Sequence, residues 1–390
     1  MTTASTDSVV EAQSARDGHS RYLPAMTITG IETFALRIPY KPGHGSAASV
    51  WGSAGSPAVD SLLVKVTTDQ GYEGWDEAFG YQAVPVTQRA IDDLIAPVCI
   101  GKDPTRVAPL MLEVQRELQV FRAGLLTLAL SAVDIALWDI VGKATGAPLY
   151  RLLGGGVSDL PCYASLDSFS DPSLVRAGVR QALEAGFTSV KLHEKELPTV
   201  HAARDEAGPD VDVILDVNCA WTVNQVRGLA DELQEFRLKW LEEPVWPPEN
   251  FDGLARVRRT DGIPVAAGEN VWTVLDFGRL LRAGAVDFVQ PSVAKMGGVT
   301  EICKVFPIAA VHNVPVMPHS WYDGPGVLAA IHATAALGTV DSMIEWRYLD
   351  LEAHIYGDAL TPKGGRVEVP QGPGLGLDPD PEVIRAYRRA

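Results

Sequence analysis

The chain has 390 residues, of which 46% are hydrophobic and 21% charged, the balance of a folded globular chain with a sizeable core. Its net charge of −16 argues against nonspecific nucleic-acid binding, which needs clustered Lys and Arg to meet phosphates. Four cysteines, Cys99, Cys162, Cys219 and Cys303, stand far apart without a CxxC pair, which argues against a zinc cluster and against a disulfide framework.

Residues 1–24 are polar, lack the apolar centre of a signal peptide and read as a flexible tail. Residues 26–40 and 60–67 alternate apolar and polar side chains, as half-buried strands do. The segment TTDQGYEGWDEA predicts a turn and a third strand, and helical patterns follow from about 87 to 150. Residues 25–156 therefore read as an α+β domain, a three-stranded sheet followed by helices. Within it, the longest apolar run, 123–141, is interrupted by Asp134 and Asp139 and predicts a buried helix rather than a membrane span. The expected location is cytoplasmic.

After Gly156 the pattern changes. Eight short apolar segments alternate with amphipathic stretches: PCYASL, SVKLHE, VILDVN, KWLEEP, PVAAGE, DFVQPS, PVMPHS and SMIEW. Parallel strands buried on both faces have this look, and eight of them fit a barrel over residues 157–360. An open doubly wound sheet is the alternative, but no GxGxxG follows a first strand. Residues 361–390, rich in Pro and Gly, read as a strap with a short strand that returns to the first domain.

Chemistry in such a barrel sits at the C-terminal mouth of the strands. Asp216, Glu242 and Glu269 end the third, fourth and fifth segments, 26 and 27 residues apart. Each could cap the following helix, but three successive strands presenting carboxylates at one level place like charges together. A hard divalent cation, Mg²⁺, resolves that repulsion. Lys191 and His193, two apart on the second strand, share a face. His319 ends the seventh strand and Glu345 lies on the eighth. Two histidines and a lysine thus flank a candidate metal site.

Together, KLH, ILDVN, WLEEP, AAGEN, QPSVAKMGGVTE, PHS and IEW resemble the mandelate racemase/muconate lactonizing enzyme-like branch of the enolase superfamily, over nearly the whole chain. The resemblance implies a (β/α)7β modified TIM barrel under an α+β capping domain, with Mg²⁺ on Asp216, Glu242 and Glu269. It prefers Glu242 to Glu243, and puts Asn218 near the metal or substrate. It implies an enolate formed by removing the proton next to a substrate carboxylate. Among the catalytic groups, His193 or Lys191 reads as the base on one face and His319 as the acid on the other, with Glu345, protonated or sharing a proton, donating a hydrogen bond. Two places depart from the pattern. His193 stands where the family often has a second lysine, and Ser292 stands where the branch pairs its seventh-strand histidine with an aspartate. Lys295 matches a family lysine with an electrostatic role. Specificity is expected from the cap loop 41–56, with His44 and Trp51 as substrate contacts.

The expected reaction is β-elimination from a sugar-acid-type substrate, with racemisation, epimerisation or lactone cycloisomerisation as alternatives through the same intermediate. A hydrolytic metal barrel would carry a His-x-His pair on its first strand, where YASL offers none. A non-catalytic member that keeps the metal is the alternative of another class. The expected partner is a small carboxylate, with no nucleic acid and no membrane, in a homo-oligomer.

Overall fold

The computed structural model describes residues 23, 25–41, 58–121 and 124–389. All but one residue of the expected tail, and the loop residues His44 and Trp51, lie outside the described residues. The chain begins with β1 (Ile28–Lys41), β2 (Ala58–Thr68) and β3 (Glu73–Ala78), an antiparallel meander. On β1, Leu36, Ile38 and Tyr40 are buried at alternate positions, as the period of two requires. The sheet is larger than the three strands expected, because β11 (Asp350–Leu351) adds to the edge of β1.

One face of this sheet packs, through Leu62, Val64 and Val66, on a helical layer. Its other face, through Phe34, Leu36 and Ile38, joins the core that runs on into the barrel. The centre of the helical layer is the helix Leu125–Thr145, which Gly146 ends in the left-handed conformation. It is long and apolar enough to cross a membrane, yet most of it is buried inside the fold. Its two acids are both used there. Asp139 accepts the N–H groups of Trp75 (3.0 Å) and Leu375 (2.7 Å), and Asp134 accepts that of Thr300 (3.0 Å).

The barrel strands are β4 (Asp159–Ser165), β5 (Ser189–Leu192), β6 (Asp212–Asp216), β7 (Leu241–Glu242), β8 (Val265–Ala267), β9 (Phe288–Val289) and β10 (Ile344–Arg347). They pair in parallel in the order β10-β4-β5-β6-β7-β8-β9. The seventh expected strand forms no ladder. Residues 315–320 meet the sixth only through the isolated bridges Val289–Val316 and Ser292–His319. Val289 N–H donates to the carbonyl of Pro315, and the N–H groups of Met317 and His319 donate to the carbonyls of Val289 and Pro291, but Pro291 has no N–H to return to Met317 and continue the exchange. Ser320 ties this segment to β10 instead, its hydroxyl donating to the carbonyl of Glu345 at 2.6 Å.

The chain then turns back. β12 (Arg366–Glu368) pairs antiparallel with β4, the N–H of Leu149 donates to the carbonyl of Gly374, and the N–H of Arg389 donates to the carbonyl of Ala35 on β1. The last thirty residues thus touch both parts of the molecule.

Alternate residues of the barrel strands enter different cores. Cys162, Ala164, Val213, Leu215, Val265 and Ala267 pack in the large outer core. Tyr163, Ile214, Trp240, Ala266, Met317 and Met343 form a separate inner cluster. Two residues further along four of these segments come Asp216, Glu242, His319 and Glu345. With a period of two, an apolar inner layer is therefore followed by a polar one, and that layer is the floor of the site.

Candidate active site

Cα pairing places Asp216 opposite Glu242, and Glu242 opposite Ala266, so two carboxylates stand side by side at the ends of adjacent strands. Glu269 follows two residues past β8, after Gly268 at φ +144°. One carboxylate oxygen from each of Asp216, Glu242 and Glu269 lies within 4.8 Å of the others. Among the described residues, Asp216 Oδ2 accepts no well-directed hydrogen bond although it is buried, and Lys191 Nζ stands 3.0 Å from it. An all-oxygen donor set with an oxygen unsatisfied at its centre fits a hard divalent cation such as Mg²⁺. Burial pushes the carboxyls of Asp216 and Glu242 up, that of Glu242 to about 7, a strain that a cation would relieve. Burial also opposes charge on Glu269, but Lys295 and His319 outweigh it and hold that carboxyl well below the usual range.

Lys191 lies beneath this floor. It is fully buried, with Nζ 2.5 Å from Glu242 Oε1, 2.9 Å from Glu345 Oε1 and 3.0 Å from Asp216 Oδ2. Glu242 takes a hydrogen bond from the ammonium, while Glu345 and Asp216 stand at ion-pair distance. Burial works against its charge, but Glu242, Glu345 and Asp216 overcome that and hold the group well above its ordinary value. Glu345 stands beside it on β10. Besides Lys191, its oxygens accept the Ser165 hydroxyl (2.8 Å) and the Ser320 N–H (2.9 Å). Burial would raise Glu345, yet Lys191 and His319 bring it down to about 2, which makes it an acceptor in this arrangement.

Two histidines bracket the acidic arc from its ends. His193 Nε2 is 3.5 Å from Asp216 Oδ2, and His319 Nε2 is 2.9 Å from Glu269 Oε2. His193 Nδ1 lies 2.6 Å from the carbonyl of Leu166, which can only accept. Nδ1 therefore carries the hydrogen, and Nε2 presents a lone pair. Burial, and then the Lys191 charge, push His193 below its ordinary value, so it is a neutral acceptor.

Above the floor is a cavity of about 420 Å³. His193, Asn218, Glu269, Lys295 and His319 line it, so five of the residues expected from the sequence meet there. The sequence reading missed its aromatic wall of Phe79, Tyr81, Trp246, Trp272 and Trp321. Trp321 packs edge-on to His193, with ring centroids 4.7 Å apart, and Lys295 Nζ lies 4.7 Å from the centre of the Phe79 ring. The signal was present: EEPVW, GENVW and HSW each put a tryptophan two to four residues past a strand-end acid or histidine. Glu243 was set aside as the second acid of its pair. It too reaches the cavity, accepting Asn270 Nδ2 at 2.7 Å. Asn218, Cys219 and Glu243 all have positive φ, the kind of backbone strain that clusters at functional sites.

Residues 174–383 match the family model described as Enolase C-terminal domain-like, and residues 52–154 match that of the mandelate racemase/muconate lactonizing enzyme N-terminal domain. The chain belongs to the enolase superfamily, in its mandelate racemase/muconate lactonizing enzyme branch. Among enolase-superfamily relatives, it is 31% identical to the D-galactarolactone cycloisomerase of Agrobacterium fabrum, over 84% of this chain and 91% of that protein. It is 27% identical to the arabinonate dehydratase of Saccharolobus solfataricus, over 93% and 99%. The structure resembles the 3,6-anhydro-D-galactonate cycloisomerase from Zobellia galactanivorans, with a TM-score of 0.80, 30% identity and coverage of 93% and 100%. It also resembles a racemase from Streptomyces coelicolor A3(2) with bound magnesium, with a TM-score of 0.81, 26% identity and coverage of 93% and 100%.

Proposed function

We propose that this enzyme removes the proton next to the carboxylate of a sugar-acid-type substrate and then eliminates the β-hydroxyl as water. The observation that carries the reading is the bracketing of the carboxylate arc by His193 at the Asp216 end and His319 at the Glu269 end. The relatives named as dehydratases support elimination as the outcome.

Asp216, Glu242 and Glu269 would hold one Mg²⁺. When bound, it supplies a Lewis acid that neutralises a substrate carboxylate oxygen as charge develops there. His193 is the base: its Nε2 lone pair faces the cavity and takes the α-proton. Lys191 has no free lone pair and stays below as fixed positive charge. Lys295, on the cavity wall beside Phe79, adds a second positive charge for the substrate carboxylate. His319 gives the departing hydroxyl its proton, water leaves, and the enol product becomes a 2-keto-3-deoxy acid. Trp246, Trp272 and Trp321 limit bulk water around these steps.

Cycloisomerisation is the second reading, favoured by the resemblance to two cycloisomerases. It differs only in the group expelled, a ring oxygen instead of a hydroxyl. The test is incubation of aldonates, aldarates and their lactones with enzyme and Mg²⁺ in deuterated water, followed by NMR. Loss of water from an acyclic acid, with solvent deuterium appearing at C3 of the 2-keto-3-deoxy product, is expected. Conversion of lactones or anhydro acids alone would select cycloisomerisation, and neither water loss nor α-proton exchange from any of these substrates would overturn the proposal.

A further inference from the structure

Ser292, which stands where the branch usually has an aspartate, does not leave His319 without a partner. Ser292 Oγ is 2.9 Å from His319 Nδ1 and also in short hydrogen-bond contact with the hydroxyl of Tyr322. Ser292, His319 and Tyr322 are all buried, and the rings of His319 and Tyr322 stand perpendicular with centroids 5.8 Å apart. We propose that Tyr322, acting through Ser292, is a positioning residue that holds His319 as the Nε2–H tautomer, so that it meets substrate as a donor to oxygen and not as a base for carbon. This assignment rests on the reaction proposed above only for its consequence, since the tautomer follows from the hydrogen bonds themselves.

A count of hydrogens fixes the direction. Among the described residues, the Tyr322 hydroxyl meets only Ser292. Its proton must therefore go to Ser292 Oγ, or remain buried and unpaired at a cost of about 1–3 kcal/mol. Burial keeps that phenol well above its ordinary value, hence protonated. Once Ser292 accepts from Tyr322, its own proton is directed at His319 Nδ1, which must be the bare nitrogen. On the other side of the ring, Nε2 lies 2.9 Å from Glu269 Oε2, a distance at which a ring N–H can donate to the carboxylate. An aspartate at position 292 would do the reverse, accepting from Nδ1–H and leaving Nε2 bare.

The two histidines thus carry opposite tautomers. His193 gives its Nδ1 hydrogen to the carbonyl of Leu166 and offers a lone pair, whereas His319 receives at Nδ1 and offers a hydrogen. The pair is an acceptor on one side and a donor on the other, which favours elimination over a racemisation that needs a base on each face.

The experiment is long-range proton–nitrogen NMR on full-length protein labelled at histidine nitrogens, with pH raised until the His319 signals change no further, so that the neutral ring is read. His319→Asn assigns the resonance among the eight histidines. The wild-type protein should show Nδ1 of His319 unprotonated and Nε2 protonated. Tyr322→Phe should mix the tautomers, because the Ser292 hydroxyl is then free to accept, and Ser292→Asp should invert them. In the same variants, product formation should fall by about 10²-fold or more while α-deuterium exchange through His193 persists. A wild-type His319 protonated at Nδ1 overturns the inference without needing any variant to fold, and so does a Tyr322→Phe spectrum unchanged from wild type. If instead the tautomers behave as stated but no sugar acid loses water or exchanges its α-proton, the proposed reaction fails and the positioning of His319 stands.

Discussion

Gly298 lies so close to Asp134 that a Cβ built on it would sit 2.2 Å from the aspartate Oδ1. Gly298 also has φ +78°, a conformation that costs any other residue about 1–2 kcal/mol. The pair joins the buried cap helix Leu125–Thr145 to the start of the barrel helix Gly298–Val311, where Thr300 N–H donates to the same carboxylate. Gly298→Ala should therefore destabilise the protein by about 2 kcal/mol or more, from strain and overpacking together. Urea denaturation measures it, and a loss of under about 0.5 kcal/mol, the range of an ordinary surface substitution, would refute the argument.

Gly268 precedes Glu269, and a Cβ there would come within 2.9 Å of the backbone N and O of Gln290. Gly268→Ala should push the Glu269 carboxylate out of its arc. Mg²⁺ affinity, read by calorimetry, should fall by roughly 10–100-fold, as it does when groups that orient metal ligands are lost. Unchanged affinity in a folded variant would remove Glu269 from the ligand set.

Lys191 can be tested as buried countercharge. Lys191→Gln leaves three buried carboxylates facing one another, and the metal-free protein should lose about 3–5 kcal/mol. Added Mg²⁺ should then raise the Tm of the variant by more than it raises that of the wild type, because the cation replaces the missing charge. Equal Mg²⁺ responses in the two proteins would contradict this role.

His332 links stability to pH away from the site. Its Nδ1 accepts the Tyr150 N–H at 3.2 Å and its Nε2 donates to the carbonyl of Leu375 at 3.0 Å. Burial pushes it down to about 4. Above about pH 6.5 the folded and unfolded chains both hold it neutral, and it adds no pH dependence. Below that, the unfolded chain binds a proton that the folded chain refuses. Stability therefore falls by about 1.4 kcal/mol for each unit toward pH 4. His332→Gln should flatten the stability profile over that window, and parallel profiles for the two proteins would show the histidine is not responsible.

His193 and His319 should separate two steps. His193→Asn should lower α-proton exchange by about 10²–10⁴-fold, whereas His319→Asn should spare exchange and stop product formation. The opposite pattern would exchange the roles of the two faces.

Much of this site could be read from strand ends. The spacing of Asp216, Glu242 and Glu269 needed only the strand–helix period, and the structure brings their oxygens within 4.8 Å. What spacing does not encode is which groups pair beneath the surface. Lys191 and Glu345 have the residue types of catalysts, yet Lys191 donates to Glu242 and pairs its charge with Glu345, whose oxygens also take Ser165 and Ser320. The seventh segment has the apolar character of a strand, but Pro291 on the neighbouring sixth strand lacks the N–H that would continue the ladder. Tyr322 was not legible because its importance depends on Ser292, thirty residues earlier in the chain, and only the fold brings them together.

The strap also sets an order of events during synthesis. Asp139 is buried in the cap, but the Leu375 amide that it accepts is made 236 residues later. At ribosomal rates of roughly 5–20 residues per second, that amide arrives about 10–50 s after the aspartate. Throughout that interval Oδ2 of Asp139 can already meet Trp75 and Lys143, but Oδ1 lacks the strap amide that covers it in the finished fold. A nascent chain stalled anywhere before residue 375 should be a good chaperone client, however complete its cap sequence.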